Sequence, residues 1–278
     1  MDQPVTPATA RAAPTAVTVN SLLACKQRGE RFAVLTAYDY TMARILAAAA
    51  IPVLLVGDSL GMVMLGYETT LPVTMEEMLH HARAVSRGAP RQLLVGDMPF
   101  NAYHAADEEA IRNAAAFIQA GMHAVKLEGG GRIIGLTARL AERGIPVMGH
   151  LGLTPQFVNL LGGYRVQGRH AEAARRIRDD ARALEEAGAF AVVLEGVPRD
   201  FAAGITATLR IPTVGIGAGP ECDAQVLVIH DLLGLTQGPL PAFVRSYADL
   251  STAAATAVTE WATDVRDGRY PDEEHSYH

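Results

Sequence analysis

Short, nearly continuous apolar runs recur along the chain, and most of them end in a carboxylate or a histidine. In order, the eight runs are AVLTAYD, VLLVGDS, LLVGDMP, AVKLEGG, PVMGHLG, AVVLEGV, PTVGIGAG and VLVIHD. Four to six apolar residues without polar alternation are typical of strands that are buried on both faces. The pattern therefore predicts eight buried strands.

The segments between most of these runs are rich in alanine and have helical periodicity. The clearest cover residues Met75–Arg87, Ala106–Ala120 and Ala171–Ala187. Glycines at 121, 144 and 188 suit the left-handed caps that end helices. Eight strands alternating with helices in 278 residues predict one α/β domain, a (β/α)₈ barrel, since such barrels take about 250 residues. An open doubly wound sheet is the alternative.

The ends of the chain have their own patterns. Residues 1–18 are rich in Ala, Pro and Thr and predict a flexible leader, so the barrel domain is expected over residues 19–278. We expect a short helix at Val19–Ala24 before the barrel and a last helix at Tyr247–Asp267.

The composition limits which partners the protein is expected to bind and in which cellular compartment it is expected to lie. Hydrophobic residues make up 49% of the chain and the net charge is −6 without long runs of one sign, which argues against nucleic acid or an acidic membrane surface. The longest apolar stretch, Ile45–Gly57, is interrupted by Pro52 and is shorter than the roughly 20 residues that a membrane span needs. Two distant cysteines, Cys25 and Cys222, fit a reduced, cytoplasmic protein.

Ionisable side chains stand where the predicted strands end, which is where barrel enzymes place their active sites. They are Asp39, Asp58, Asp97, Glu128, His150, Glu195 and Asp231. Any one acid could instead be a helix N-cap. Four of these carboxylates, those of Asp58, Asp97, Glu128 and Glu195, would repel one another at one mouth unless a cation compensates. Oxygen ligands without a Cys/His cluster indicate Mg²⁺ or Mn²⁺.

Three further features have competing interpretations. Lys126 and Glu128 share a strand face and form either a substrate-binding pair or a buried structural ion pair. His150 is either an orienting residue or a satisfied core histidine. The glycine run from Gly215 to Gly219 is followed by Pro220 and does not fit a nucleotide-binding motif. We expect tight backbone packing there, and the alternative is a turn that holds a phosphate or lets a ligand approach closely.

Two connections are long and glycine-rich, at Asp58–Thr74 and His150–Arg169. Connections of this length inside a compact domain are usually functional, often as lids. The alternative is that each is a surface loop without a function.

The motifs from Leu35 onward resemble those of the ketopantoate hydroxymethyltransferase family. The matching stretches are LTAYDY, LLVGDSLGMV, TLPVT, RGAP, DMPF, VKLEGG, GHLGLTP, LGGYRVQGR, LEGVP, PTVGIGAG, QVLVIHDLLG and YPDEEHSYH. They cover nearly everything after residue 18, in the order found in the family.

This resemblance implies a barrel of the phosphoenolpyruvate/pyruvate type. It implies a transferase that adds a hydroxymethyl group from 5,10-methylenetetrahydrofolate to 3-methyl-2-oxobutanoate (α-ketoisovalerate). The product would be 2-dehydropantoate (ketopantoate), for pantothenate and coenzyme A biosynthesis, formed through a magnesium-stabilised enolate. It also implies Mg²⁺ as the cofactor, two small-molecule substrates and a homo-oligomer, a decamer.

The resemblance also implies residue roles. The metal ligands would be Asp58, Asp97 and Glu128, the last directly or through water. The substrate contacts would be Asp58, Ser59, Asp97 and Lys126. Glu195 would be the proton acceptor. Departures from the family pattern are small and lie at Gly131, Gly196 and Ala224.

Two other functions stay open on the residues alone. A Mg²⁺-dependent lyase or mutase of the phosphoenolpyruvate mutase and isocitrate lyase kind would share the fold and the metal chemistry. Isocitrate lyase relatives carry a reactive cysteine on a mobile loop, whereas neither Cys25 nor Cys222 lies at a predicted strand end. A non-catalytic barrel that binds a keto acid would not need Glu195 together with metal ligands.

Overall fold

The computed structural model describes residues 16–278 and contains eight parallel strands that close into a barrel. The strands are β1 Phe32–Thr36, β2 Val53–Val56, β3 Leu93–Asp97, β4 Ala124–Glu128, β5 Val147–Gly152, β6 Ala191–Glu195, β7 Thr213–Ile216 and β8 Ala224–Leu227. They follow one another round the barrel in chain order, and β8 closes it by pairing with β1. The predicted barrel is therefore confirmed, and the open sheet is excluded.

Helices connect most of the strands. They are α1 Val19–Arg28, α2 Tyr40–Ala48, α3 Leu60–Val63, α4 Met75–Gly88, α5 Asp107–Gln119, α6 Arg132–Glu142, α7 Val158–Leu161, α8 Ala171–Glu186, α9 Arg199–Thr208, α10 Ile229–Leu232 and α11 Leu250–Arg266. The three predicted alanine-rich helices are confirmed to within one residue at each end. Within residues 16–278, no helix combines the length and the apolar character that crossing a membrane requires.

The ends of the chain differ in part from expectation. Helix α1 runs to Arg28 rather than Ala24, because Gly29 supplies the left-handed cap at φ 69°. Residues 1–15 of the predicted leader lie outside the described residues. From Val17 onward the chain is held, since the Val17 amide donates to the carbonyl of Arg91 at 2.8 Å and Thr18 caps α1. Helix α11 starts at Leu250, three residues later than predicted.

The apolar run predicted as the eighth strand, VLVIHD, needs a correction. Strand β8 begins at Ala224 and ends at Leu227, and the chain then turns into the short helix α10. Asp231 therefore lies in a helix and not at a strand end. The local apolar pattern could not separate a strand end from one helical turn, because a short apolar run fits both.

The interior of the barrel is apolar toward the N-terminal ends of the strands and polar at their C-terminal ends. Inward side chains such as Val34, Val95 and Val193 form one buried cluster, and Leu22 of α1 joins this cluster. Outward side chains pack instead against the helices, in two further clusters. The buried charged side chains therefore lie near the C-terminal ends of the strands.

Close packing of strand β3 against α5 should make Gly96 intolerant of any side chain. A Cβ at this position would overlap the ring of the fully buried Phe117. We expect Gly96→Ala to lower the free energy of unfolding by about 1–3 kcal/mol, as overpacked cores do. The measurement is urea unfolding followed by circular dichroism.

Gly204→Ala is the matched control, because Gly204 lies in α9 and a methyl group there would meet no other atom within 4 Å. Alanine at this position should stabilise the helix by about 0.5–1 kcal/mol. Equal stability of Gly96→Ala and the parent protein would contradict the packing argument.

Candidate active site

Three carboxylates meet at the C-terminal mouth of the barrel. Asp97 and Glu128 are the last residues of β3 and β4, and Asp58 follows β2 by two residues. Because β2, β3 and β4 are neighbouring parallel strands, their ends lie side by side. All three residues are buried, and one oxygen of each lies within 4.8 Å of the other two. These hard oxygen donors can hold a divalent cation.

The ammonium group of Lys126 lies among these carboxylates. Its Nζ donates to Asp97 Oδ1 at 2.6 Å and to Glu128 Oε1 at 3.3 Å. Burial opposes the charged ammonium, but the nearby acids, Asp97 foremost, raise the pKa of Lys126 above its ordinary value. An ammonium has three N–H donors, so one remains after these two bonds. The geometry thus makes an ion pair and leaves one N–H for a further acceptor.

The pKa values reveal how unevenly the three carboxylates are compensated. Burial raises the pKa of Asp58 well above its ordinary value, and repulsion from Asp97 and Glu128 adds to this effect. Burial also raises the pKa of Asp97, although Lys126 opposes it. At Glu128, Lys126 and His150 outweigh burial, and the pKa falls to about 2. Full ionisation of all three acids therefore requires additional positive charge.

His150 stands between Glu128 and Glu195. It lies on β5 in register with Glu128, and β5 pairs in turn with β6, which carries Glu195. Its Nδ1 is 3.2 Å from Glu128 Oε1 and its Nε2 is 3.3 Å from Glu195 Oε2, but neither contact has hydrogen-bond alignment. Burial lowers its pKa, yet Glu128 raises it more, to about 9. His150 therefore lies in the wall of the cavity between two acids, and its role as an orienting residue stays a prediction.

Ser59 is held at the wall of the site by a buried tyrosine. The hydroxyl groups of Tyr38 and Ser59 are 2.9 Å apart. His81 Nδ1 in turn lies 2.6 Å from the carbonyl oxygen of Tyr38. These contacts fix the position of the Ser59 hydroxyl beside Asp58.

Gln156 and Tyr103 organise the acids, and sequence reasoning missed both. Gln156 Nε2 donates to Asp58 Oδ2 and to the carbonyl of Met98, each at 2.9 Å, and its backbone amide donates to Glu128 Oε2 at 3.0 Å. The Tyr103 hydroxyl donates to Gln156 Oε1 at 2.6 Å and accepts from the Glu128 amide at 3.1 Å. Gln156 follows the motif GHLGLTP directly, but nothing in the local pattern signals its burial.

A cavity of about 1020 Å³ opens above these residues. Small-molecule sites usually measure about 300–1000 Å³, so this one can hold more than a small keto acid. The strand ends form one wall of this cavity, and the segment between Leu235 and Phe243 forms the opposite one. The sequence pattern did not single out this segment. Phe243 packs against Gly217, where a Cβ would come within 2.7 Å of its ring. The close packing expected of the glycine run is therefore confirmed.

The structure brings most of the predicted site residues together. The cavity is lined by Asp58, Ser59, Asp97, Lys126, Glu128, His150 and Glu195. Asp39 does not join them, because its Oδ1 accepts from the Met42 amide and caps α2. Asp231 lines the cavity from α10, where its carboxylate accepts a hydrogen bond from Thr236. The two long loops contribute α3 and α7, and their role as lids stays a prediction.

Comparison with known sequences gives a consistent result. The family model described as Ketopantoate hydroxymethyltransferase matches residues 16–273. A relative from Carboxydothermus hydrogenoformans, named 3-methyl-2-oxobutanoate hydroxymethyltransferase, is 54% identical over 94% of this chain and 95% of its own length. A relative of the same name from Syntrophus aciditrophicus is also 54% identical, over 94% of this chain and 96% of its own length.

Solved structures share the fold at much lower identity. A phosphonopyruvate hydrolase in complex with oxalate and Mg²⁺ has a TM-score of 0.60 and 16% identity, with 93% of each chain covered. A 2,3-dimethylmalate lyase, a member of the PEP mutase/isocitrate lyase superfamily, has a TM-score of 0.60 and 18% identity, over 95% of this chain and 93% of that one. At such identities the likeness concerns the barrel alone.

Removing the Tyr103 hydroxyl should destabilise the protein. In Tyr103→Phe, Gln156 Oε1 loses its donor and the Glu128 amide loses its acceptor, both in a buried setting. We expect a loss of about 1–3 kcal/mol in the free energy of unfolding, measured by urea denaturation. Tyr277→Phe is the control, since that side chain is fully exposed. A Tyr103→Phe protein as stable as the Tyr277→Phe protein would show that the hydroxyl does not support the site.

Proposed function

Because the chain belongs to the ketopantoate hydroxymethyltransferase family, we propose that it transfers a hydroxymethyl group from 5,10-methylenetetrahydrofolate to 3-methyl-2-oxobutanoate. The product is 2-dehydropantoate, which enters pantothenate and coenzyme A biosynthesis. The observation that carries this proposal is the buried set of acids, with Lys126, in the same large cavity as Glu195. An assay with both substrates and Mg²⁺, following 2-dehydropantoate, tests it.

We assign a Mg²⁺ site to Asp58, Asp97 and Glu128, because the charges and the donor atoms fit such an ion. Those three acids and Glu195 carry four negative charges when ionised, and protonated Lys126 and His150 supply two positive ones. A divalent cation balances the remainder. Both Glu128 oxygens already accept hydrogen bonds, so a contact through water suits this residue best. Bound Mg²⁺ would supply Lewis-acid polarisation of the substrate's keto oxygen.

The side chains of the chain itself would bind the substrate and move its proton. Lys126 and Ser59 would hold the carboxylate of the keto acid, since both present donors to the cavity. Glu195 would accept the proton from C3 of the substrate, as a general base. The electron pair left at C3 would form the bond to the methylene carbon of the folate. The two C–N bonds that hold this methylene group in the folate would break, and water would supply the hydroxyl oxygen. One proton from water and the proton taken from C3 would end on the two nitrogens, and tetrahydrofolate would leave.

The cavity and the cysteines favour this function over its rivals. A lyase or mutase acting on one small acid would leave most of the 1020 Å³ unused, whereas a folate fills a larger space. Cys222 is buried and precedes β8, and Cys25 lies in α1, so neither takes part in the mouth of the barrel. Glu195 lines the cavity beside His150. It would have no role if the protein only bound a keto acid without reacting with it.

The resemblance also supports proposals on the compartment, the partners and the oligomeric state of this enzyme. We propose that it acts in the cytoplasm on two small molecules, the α-keto acid and the folate, without nucleic acid or membrane as a partner. We further propose a homo-oligomer, a decamer. The acidic net charge of −6 agrees with this choice of partners.

Metal dependence is testable by binding as well as by turnover. Because the acids need a cation, chelation by EDTA should abolish activity, and excess Mg²⁺ should restore it. Asp58→Asn and Asp97→Asn should each weaken Mn²⁺ binding at least about tenfold, measured by electron paramagnetic resonance. The control is Asp200→Asn, whose side chain is fully exposed. Undiminished activity in EDTA would rule out the metal assignment.

The role of Glu195 can be separated from metal and substrate binding. Glu195→Gln keeps the shape of the side chain but cannot accept the C3 proton, while the acids at Asp58, Asp97 and Glu128 remain. We expect nearly parental binding of 3-methyl-2-oxobutanoate with Mg²⁺, and a loss of ~10²–10⁴-fold in turnover. Exchange of the C3 hydrogen with solvent deuterium, followed by NMR, should slow in parallel.

The matched control is Glu172→Gln, since that carboxylate is exposed on α8 and should not affect either rate. If Glu195→Gln exchanges the C3 hydrogen at the parental rate, the base lies elsewhere in the site.

A further inference from the structure

The large cavity extends beyond the residues that we assign to the metal ion and to the keto acid carboxylate. Those residues stand at the ends of β2, β3 and β4, whereas β8 lies across the mouth from β4, because the strands follow one another in chain order. Beside β8 the cavity is lined by His230, Asp231 and the segment between Leu235 and Phe243. The proposed keto acid contacts leave this side of the cavity unused.

Asp231 presents a carboxylate to this side of the cavity. The residue is partly buried, and its Oδ1 accepts a hydrogen bond from the Thr236 hydroxyl. Within residues 16–278, no donor contacts its Oδ2 and no cationic side chain pairs with it. It also stands outside the group formed by Asp58, Asp97 and Glu128. A carboxylate can accept about four hydrogen bonds, so most of this capacity is not used by the protein itself.

The position of Asp231 is fixed by its backbone as well as by Thr236. Its amide donates to the carbonyl of Val228 at 3.1 Å, and its own carbonyl accepts from Ser246 Oγ at 2.9 Å. A structural role in holding Thr236 would explain Oδ1 but not the free Oδ2. An acceptor that is already held in place loses little freedom when a ligand binds to it.

The wall that faces Asp231 is apolar. Within the segment between Leu235 and Phe243, the side chains that line the cavity include those of Leu235, Pro239, Leu240 and Pro241. Ligand sites commonly combine such apolar walls with a few placed polar groups that fix orientation. A flat ring that carries N–H donors on one edge fits these surroundings, because its faces can pack on the wall while its edge meets the carboxylate.

One buried tyrosine separates Asp231 from the proposed keto acid contacts. The hydroxyl group of Tyr38 is 2.9 Å from that of Ser59, and the rings of Tyr38 and His230 have centroids 5.5 Å apart. Burial raises the pKa of Tyr38, and the charges of Asp58 and Asp231 add to this effect, so both carboxylates lie near this side chain. A ligand of a few fused rings could therefore reach from Asp231 to the keto acid.

The pterin of 5,10-methylenetetrahydrofolate carries the donors that Asp231 lacks. Its pyrimidine ring has N3–H and a 2-amino group side by side, and its methylene carbon is attached to the neighbouring ring. We propose that the carboxylate of Asp231 binds this pair of donors, which directs the methylene carbon toward the keto acid. Hydrogen bonds to a charged acceptor are the strong ones, and a paired contact also fixes orientation. This contact presupposes the proposed function, because it recognises the second substrate of that reaction.

Isothermal titration calorimetry on the full-length protein tests the contact, with Mg²⁺ and 3-methyl-2-oxobutanoate present. The two probes are tetrahydrofolate and its 2-desamino-2-methyl analogue, which lacks the amino donor. We expect the parent protein to bind the analogue about 10–100-fold more weakly, because the charged acceptor then loses a partner. Asp231→Asn should bind tetrahydrofolate about 10–100-fold more weakly than the parent and should lose most of the preference between the probes.

Asp200→Asn is the matched control, since that side chain is fully exposed, and it should keep both affinities. Thr236→Val keeps the shape of the side chain but removes the hydroxyl that holds Asp231. It should therefore reduce the same preference, and it decides the question if circular dichroism shows that Asp231→Asn does not fold. Equal binding of the two probes by the parent, or the parental preference in the folded variants, would overturn the contact.

Exchange of the C3 hydrogen of 3-methyl-2-oxobutanoate, measured on the parent protein without folate, separates this contact from the proposed function. A parent that exchanges this hydrogen but binds both probes equally would keep its proposed base and lose only the pterin contact. A parent that neither exchanges the hydrogen nor binds tetrahydrofolate would overturn both. Exchange together with a preference for tetrahydrofolate that depends on Asp231 is the result that we expect.

Discussion

The C-terminal mouth of this barrel buries three acidic side chains and two basic ones. The hydrogen bonds and ion pairs around these acids follow from that excess of negative charge. Asp58, Asp97 and Glu128 lie within 4.8 Å of one another, and Lys126 can neutralise only part of their charge. Burial without full compensation raises the pKa of Asp58 and Asp97. The three acids could hold a divalent cation, and such an ion would let all of them ionise together.

Neutral side chains hold these acids in place. Gln156 contacts Asp58 with its side chain and Glu128 with its backbone, and Tyr103 completes the network. Such support matters because a metal-binding carboxylate that can rotate loses affinity. The solved barrels that share this fold at 16–18% identity demonstrate that the scaffold alone does not determine the reaction. The chemistry depends on which side chains stand at the strand ends and on how firmly they are held.

The outer face of the barrel at β1 and β8, far from the acids at the mouth, is not covered by a helix within residues 16–278. Outward side chains of most strands are buried beneath helices, whereas Ala33 and Gln225 face solvent. Helix α11 has the opposite imbalance, an apolar stripe without a surface to cover. Burial of apolar surface is the main force that stabilises such layers, and the single chain leaves both of these surfaces exposed.

Periodicity over a few neighbouring residues was enough to predict the number of strands, the positions of the first seven, the three alanine-rich helices and most of the side chains at the strand ends. It also led to the family through motifs in a fixed order. Tertiary structure alone decided that Asp39 caps a helix, that His150 lies between two acids, and that the segment from Leu235 to Phe243 walls the cavity. The bond from Gln156 to Asp58 spans 98 residues of sequence, and α11 does not pack on the barrel that precedes it. Such facts lie beyond local patterns, because the burial of a side chain depends on distant segments that fold against it.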